Sequence, residues 1–199
     1  MISLTEYLNK YPKKHIVFDL DCTLAKLHID WKDFRTQFRR LVSVEIDHQL
    51  VENTPAVNGS SRFLYNQSIQ IHKGKAKRIV DEFCCNWEKN HYTGLTSNTK
   101  LIKFIKNNYK HYAFYIWTAN TQCTVTQAIK HLQLRDYLRK IITTENTTLT
   151  KPYPDGFYLI FKESTQSRKD YLMVGDSEHD REAAKNSGID FFCVNDFID

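Results

Sequence analysis

The sequence predicts an α/β protein: a doubly wound parallel sheet with a small α-helical insertion after the first strand. Three observations predict it. Apolar runs the length of buried strands, rich in β-branched and aromatic residues, recur at 15–18, 112–117, 141–143, 171–174 and 191–194. Stretches of helical spacing separate the later runs, and strands alternating with helices give a parallel sheet with right-handed crossovers. Between the first run and the second, no β-like run appears until about residue 112, and the intervening chain alternates apolar and charged residues at helical spacing.

Taken in order, Ser3-Leu4-Thr5-Glu6 opens a short helix with a Ser-to-Glu capping pattern, and Pro12 stops it. The first strand follows, ending in Asp19-Leu20-Asp21-Cys22-Thr23-Leu24. In the insertion, Trp31, Phe34, Phe38, Leu41 and Val42 repeat at three and four, with Lys32, Asp33, Arg35, Arg39 and Arg40 between them, which makes an amphipathic helix. Asn53-Thr54-Pro55 and Val57-Asn58-Gly59-Ser60 read as loops. Further helices are expected from about Arg62 to Gln70 and from about Lys75 through Ile79, Val80, Phe83 and Trp87. The expected division is residues 1–25 and 94–199 as the α/β core and 26–93 as a helical cap over the site.

Ser97 to Asn107 reads as a helix with Ser97 or Thr96 as its N-cap and Leu101, Ile102 and Ile105 on one face. The strand ending at Thr118 follows, then a helix carrying Val125, Ala128, Ile129 and Leu132. A short strand at Ile141-Ile142-Thr143 leads to the loop Lys151-Pro152-Tyr153-Pro154-Asp155-Gly156 and a helix through Phe157, Ile160 and Phe161. The fourth strand is broken by Gly175-Asp176-Ser177-Glu178-His179-Asp180 into a helix that ends near Ser187-Gly188.

Composition narrows the class. At 199 residues the chain carries one full domain plus an insertion, and 41% hydrophobic with 26% charged residues is the make-up of an ordinary globular protein. No apolar run approaches the roughly 20 residues of a membrane span, and the opening residues do not form a signal peptide. A cytoplasmic protein without a membrane partner is expected. Five cysteines, scattered except for Cys84 and Cys85, show neither zinc spacing nor a disulfide framework. The formal charge of +5 is spread along the chain and forms no basic stripe, which argues against a nucleic-acid partner and suits a small anionic substrate. Nothing in the sequence sets the oligomeric state.

The candidate chemistry begins at Asp19 and Asp21. If the extended backbone persists through Leu20, a period of two places both carboxylates on one side. At about 4 Å and an effective dielectric of about 20 they repel by roughly 4 kcal/mol, so the pair asks for a proton or a cation, and oxygen-only ligands ask for a hard one such as magnesium. In a parallel sheet the carboxyl ends of all strands lie along one edge, where ligands bind. Asp19, Asp21, Thr118, Lys151, Asp176 and Asp180 all fall just past strand ends. Singly, each has a plainer reading: an acidic turn, a helix cap at Thr118, a solvated lysine at 151, a Gly-Asp turn at 175. Their arrival at one edge is what those readings do not predict.

With these residues in place, the chain resembles the haloacid dehalogenase superfamily. Asp19-Leu20-Asp21-Cys22-Thr23-Leu24 matches its first motif, Asp-x-Asp-x-Thr-Leu. Thr118 matches the second, Lys151 the third and Gly175-Asp176-Ser177-Glu178-His179-Asp180 the fourth. The Lys-Pro-x-Pro-Asp segment and the helical insertion look most like the phosphoglycolate phosphatase and β-phosphoglucomutase branch. The resemblance implies a Rossmann-like core and a magnesium-dependent phosphatase of a small phosphorylated metabolite. Asp19 would be the nucleophile that forms an aspartyl-phosphate, and Asp21 the acid and then the base. Asp19, Asp176 and the main-chain carbonyl of Asp21 would hold Mg²⁺, while Thr118, Lys151 and Asn120 would bind phosphate. Asp180 would support the metal site and orient Lys151. Cys22 stands where glycine is frequent, and is expected to offer its N–H to phosphate and a thiol open to oxidation. Asn120 lies two residues after Thr118, where relatives often carry Asn immediately after it. Arg35, Arg39, Arg40, His72 and Lys73 are candidate contacts for an anionic substrate, or a solvated helix face. Two other readings stay open: a phosphosugar mutase using the same intermediate, and a catalytically silent binding protein, which commonly lacks Asp19, Asp21 or Lys151.

Overall fold

The computed structural model describes residues 2–57, 60–162, 167–195 and 197. In chain order the elements are α1 (Leu4–Lys10), β1 (His15–Phe18), β2 (Ala25–Leu27), α2 (Trp31–Glu45), α3 (His48–Glu52), α4 (Ser60–His91), β3 (Leu95–Ser97), α5 (Thr99–Asn108), β4 (Ala113–Trp117), α6 (Gln122–Leu132), β5 (Leu138–Ile142), α7 (Asp155–Phe161), β6 (Tyr171–Gly175), α8 (Glu178–Ser187) and β7 (Asp190–Cys193). Five strands form one parallel sheet in the order β5-β4-β1-β6-β7. The expected architecture is therefore present: an α/β fold with a helical insert after the first strand.

The central strand is buried on both faces, which is why it reads as an unbroken apolar run. Ile16 and Phe18 join one core with Ile116, Val125, Ile129, Leu172 and Val174, whereas Val17 turns to the other with Trp117, Ile142, Phe157 and Met173. A third cluster lies inside the insert, where Phe38 and Val42 of α2 pack on Leu64, Ile69 and Val80 of α4. Among the described residues no helix is long and apolar enough to cross a membrane.

Several local expectations are corrected. A two-stranded antiparallel sheet, β2 with β3, flanks the insert where no strand was expected. Three residues on each side, with almost seventy between them, are too few to show a period of two. Ser97 lies in β3, so the N-cap of α5 is Asn98, whose side chain accepts the Leu101 N–H at 3.2 Å. Thr118 is not a helix cap, since α6 begins after Thr121. The two expected helices of the insert are both present within α4, separated by a kink at Lys73, whose φ of 53° and ψ of −135° are not helical. Residues 58 and 59 of the expected second loop lie outside the described residues, and Ser60 already opens α4.

Candidate active site

The site is assembled at the carboxyl edge of the sheet by four loops. Strand pairing carries on past β1, with the Asp19 N–H donating to Val174 O at 2.9 Å. A tight turn then gathers the N–H groups of Thr23, Leu24 and Ala25 onto Leu20 O. Cys22 sits at φ 60° in this turn, a left-handed conformation that glycine adopts at no steric cost. Its N–H is spent on Ala25 O at 2.8 Å, so the expectation that it faces phosphate is corrected. Burial, together with the Asp21, Asp176 and Asp19 carboxylates, pushes the Cys22 thiol up to about 12, which disfavours the thiolate.

Asp19 and Asp21 line one cavity of about 330 Å³ together with Thr118, Asn120, Asp176 and, from the insert, Trp31, Phe34, Arg35, Arg62 and Glu88. Lys151 and Asp180 stand behind this wall. The Lys151 ammonium, 1% exposed, donates to Asp19 Oδ1 at 2.5 Å and to Asp180 Oδ1. An ammonium has three donors, and these two contacts use two of them. Asp180 takes the Ser177 N–H and hydroxyl on its other oxygen at 3.1 and 2.5 Å, the capping box that opens α8. Gly175 is required beneath it, since a Cβ there would come within 2.6 Å of the Asp180 side chain. Thr118 Oγ1 donates to Asn120 Oδ1 at 2.7 Å and accepts the Asn120 N–H at 3.1 Å, which packs the expected phosphate-binding pair into one buried turn.

Burial drives the electrostatics. It pushes Asp19 up to about 7, against the Lys151 charge that favours ionisation and with the Asp180 and Asp176 charges that oppose it. Burial also pushes Asp21 up to about 6, although the Leu27 N–H, donating to Asp21 Oδ1 at 2.8 Å, works the other way. Asp176 is likewise raised by burial and by Asp180. Burial alone would neutralise Lys151 and Asp180, but their contact outweighs it, raising the lysine and holding the Asp180 carboxyl below its usual range. Carboxylate oxygens of Asp19, Asp176 and Asp180 lie within 4.8 Å of one another. Three acids against one ammonium leave negative charge uncompensated, and an oxygen-only donor set fits a hard divalent cation. Because both Asp180 oxygens are engaged, Asp19 and Asp176 are the carboxylates open to such an ion. The Asp21 carboxylate lies outside this cluster.

Sequence reasoning gave no role to several residues that matter, Thr23 of the first motif among them. Thr23 Oγ1 donates to Asp176 Oδ1 at 3.2 Å and links the first and fourth loops. Arg62 of α4 enters the cavity with no carboxylate in ion-pair distance among the described residues, and its charge favours ionised Asp21 and Asp180. No motif marks it. Of the five candidate contacts in the insert, only Arg35 lines the cavity. Arg39 donates to the Val51 and Thr54 carbonyls at 2.9 and 2.8 Å, His72 pairs with Asp47 at 2.9 Å, Lys73 marks the kink and Arg40 is exposed.

Two buried contacts seat the insert on the core. Asn66 exchanges hydrogen bonds with the Thr150 main chain, next to Lys151, and Glu88 Oε2 accepts the Thr121 N–H and hydroxyl at 3.0 and 2.8 Å. Burial pushes Glu88, 3% exposed, up to about 7. A raised carboxyl means that the folded state holds the proton more tightly than the unfolded chain. Stability therefore falls as pH climbs from about 4.5 to about 7, with a penalty of about 3 kcal/mol present in full above that. Glu88→Gln keeps an acceptor for Thr121 and removes the penalty. In urea unfolding the variant is expected to be the more stable protein at pH 8, with the difference largely gone at pH 5.

The chain belongs to the family of haloacid dehalogenase-like hydrolases, whose family model matches residues 16–194. No curated protein sequence matches it significantly. Among solved structures, it is similar to one from Bacteroides fragilis assigned as a haloacid dehalogenase-like hydrolase, with 18% identity over 90% of this chain and 86% of that one and a TM-score of 0.62. A Lactobacillus plantarum protein assigned as a phosphoglycolate phosphatase is similar at 14% identity, with 90% and 84% covered and a TM-score of 0.60. The magnesium-bound hydrolase YfnB of Bacillus subtilis, assigned to the same superfamily, is similar at 17% identity, with 94% and 91% covered and a TM-score of 0.54. At these identities the likeness establishes the fold, and the chemistry rests on the residues of this chain.

Proposed function

We propose that the protein is a magnesium-dependent phosphatase that hydrolyses a small phosphomonoester through an aspartyl-phosphate. The observation that carries this reading is the Lys151 ammonium bridging Asp19 and Asp180 behind a cavity that Asp21, Thr118 and Asp176 share. Lys151 holds one oxygen of Asp19 and favours its ionised form, leaving the second oxygen to attack phosphorus in line. As that bond forms and the ester bond breaks, the leaving oxygen takes the proton of Asp21, a carboxyl that burial holds up at about 6. Ionised Asp21 then takes a proton from water, whose oxygen displaces Asp19 and releases inorganic phosphate. Thr118, Asn120, the third donor of Lys151 and Arg62 would bind the equatorial oxygens, where charge is greatest. Asp19, Asp176 and the main-chain carbonyl of Asp21 would hold magnesium, which supplies positive charge against the transferring phosphoryl group. Residues 26–93 would act as the cap that excludes water and admits the substrate.

The direct test is phosphate release from 4-nitrophenyl phosphate. Turnover is expected with magnesium, is lost on chelation and returns when the ion is restored; release that persists in excess chelator sinks the metal assignment. A second measurement isolates the acid. Asp21→Asn is expected to slow hydrolysis of an alkyl phosphate by about 10²- to 10⁴-fold. The burst of phenolate from 2,4-dinitrophenyl phosphate, which precedes the step where Asp21 acts as base, should slow far less, because that leaving group departs without a proton. Equal losses on both esters in the rate of alcohol release during the first turnover count against Asp21 as the acid.

A further inference from the structure

Resting on the phosphatase reading above, the geometry points to the kind of alcohol that leaves: we propose that the substrates are phosphomonoesters whose leaving group carries a planar aromatic ring, seated against Trp31 and Phe34. The leaving oxygen must lie beside Asp21, and on that side the cavity wall changes character. It passes from the carboxylates and Thr118 to the first three turns of α2, where Trp31, Phe34 and Phe38 line it. The Trp31 and Phe34 rings meet edge to face, with centroids 5.5 Å apart at 86°, and Phe34 stacks on Phe38 at 5.4 Å and 17°. Phe34 also meets Phe83 at 5.8 Å and Trp87 at 6.0 Å, so a ligand ring would extend an existing aromatic cluster through the stacked or edge contacts that aromatic pairs prefer.

Size and polarity agree with this assignment. A cavity of roughly 150 Å³ admits benzene, so about 330 Å³ holds a phosphoryl group and one ring system. A polyhydroxylated sugar would need a partner for every hydroxyl it buries. Of the three rings only Trp31 carries a donor, its indole N–H, although Ser61 and Arg62 line the cavity as well. The hydroxyl of Tyr65, which also lines the cavity, is already engaged by Asp81 and by Lys77 at 2.9 Å. Arg35, one residue from Phe34 and also in the wall, has no acidic partner among the described residues, and a guanidinium stacks on an aromatic face where it gains nothing from an aliphatic one.

The test compares esters of primary alcohols, so that leaving-group acidity is held nearly constant. Benzyl phosphate and 2-phenylethyl phosphate are expected to exceed glycerol 1-phosphate and glucose 6-phosphate in kcat/KM by about 100-fold, the combined effect of ring burial and ring–ring contact. Cyclohexylmethyl phosphate should fall between them, and Phe34→Leu should compress the spread. Binding is read separately by titration calorimetry with benzylphosphonate, whose carbon–phosphorus bond this chemistry does not cleave. Benzylphosphonate is expected to bind at least about 30-fold more tightly than 2,3-dihydroxypropylphosphonate. Turnover of all five esters at similar kcat/KM, a preference for glucose 6-phosphate, or equal rates for cyclohexylmethyl and benzyl phosphate overturns the aromatic assignment while leaving the phosphatase reading intact. Tight benzylphosphonate binding without hydrolysis of any ester supports the ring site and overturns the phosphatase reading instead.

Discussion

Asp19→Asn is expected to fold as the parent does and to lose turnover by roughly 10⁴-fold or more, because an amide oxygen cannot form the covalent intermediate. The structural half of this prediction follows from the site's own electrostatics. Burial already drives Asp19 toward its neutral form, up to about 7, so a neutral isostere relieves an unfavourable charge among Asp176 and Asp180. Lys151 keeps Asp180 as a partner and is not stranded. The melting temperature should therefore be unchanged or higher, the usual sign of a residue kept for chemistry at the expense of stability. Circular dichroism melts and single-turnover phosphate release on the same preparation check both halves. A variant that retains full activity ends the nucleophile assignment.

Lys151→Met is expected instead to cost stability. The side chain is 1% exposed and its ammonium is the shared partner of Asp19 and Asp180. Methionine preserves the apolar stem and removes the charge, which leaves two buried carboxylates facing each other. Breaking a buried pair in this way costs about 3 to 5 kcal/mol, or roughly 10 °C of melting temperature for a chain of this size. The sign of the pH dependence follows from Asp180, whose carboxyl Lys151 holds below the usual range against the effect of burial. A depressed carboxyl contributes stability that is present above its unfolded pKa and lost as pH falls through its folded one. Without Lys151 burial raises that carboxyl instead, so the deficit of the variant should be greatest at neutral pH and shrink as the medium is acidified and the carboxylates take up protons. A deficit that stays constant between pH 8 and pH 5 argues that packing, and not charge, is what Lys151 contributes.

Most of the framework was legible in the chain because it depends on local properties. Apolar runs mark β1, β4, β5, β6 and β7, and in a parallel sheet the residue after each run falls at one edge whatever the strand order. That rule brings Asp19, Thr118 and Asp176 toward each other, while Lys151, nine residues past Ile142, is carried to them by the loop that follows β5. Less of the site's detail was legible, since Thr23, Arg62 and Glu88 act through partners 153 residues away, across the cavity, and 33 residues away respectively. Their spacing carries no trace of those contacts. The turn at Cys22 shows the same limit. A sequence match can align Cys22 with a frequent glycine, yet only the backbone reveals that φ is 60° and that the N–H is already bonded to Ala25 O.

By itself, then, the sequence determined the fold class, the helical insert and the acids and the amine at the strand ends, because strand length, helical period and loop position are set within a dozen residues. Tertiary structure alone decided the order β5-β4-β1-β6-β7, the β2–β3 pairing and which face of α2 looks into the cavity. Those depend on contacts between distant segments. An amphipathic stripe such as Trp31, Phe34 and Phe38 has the same period whether it covers a core or lines a binding site, and only the position of Asp21 beside it tells the two apart.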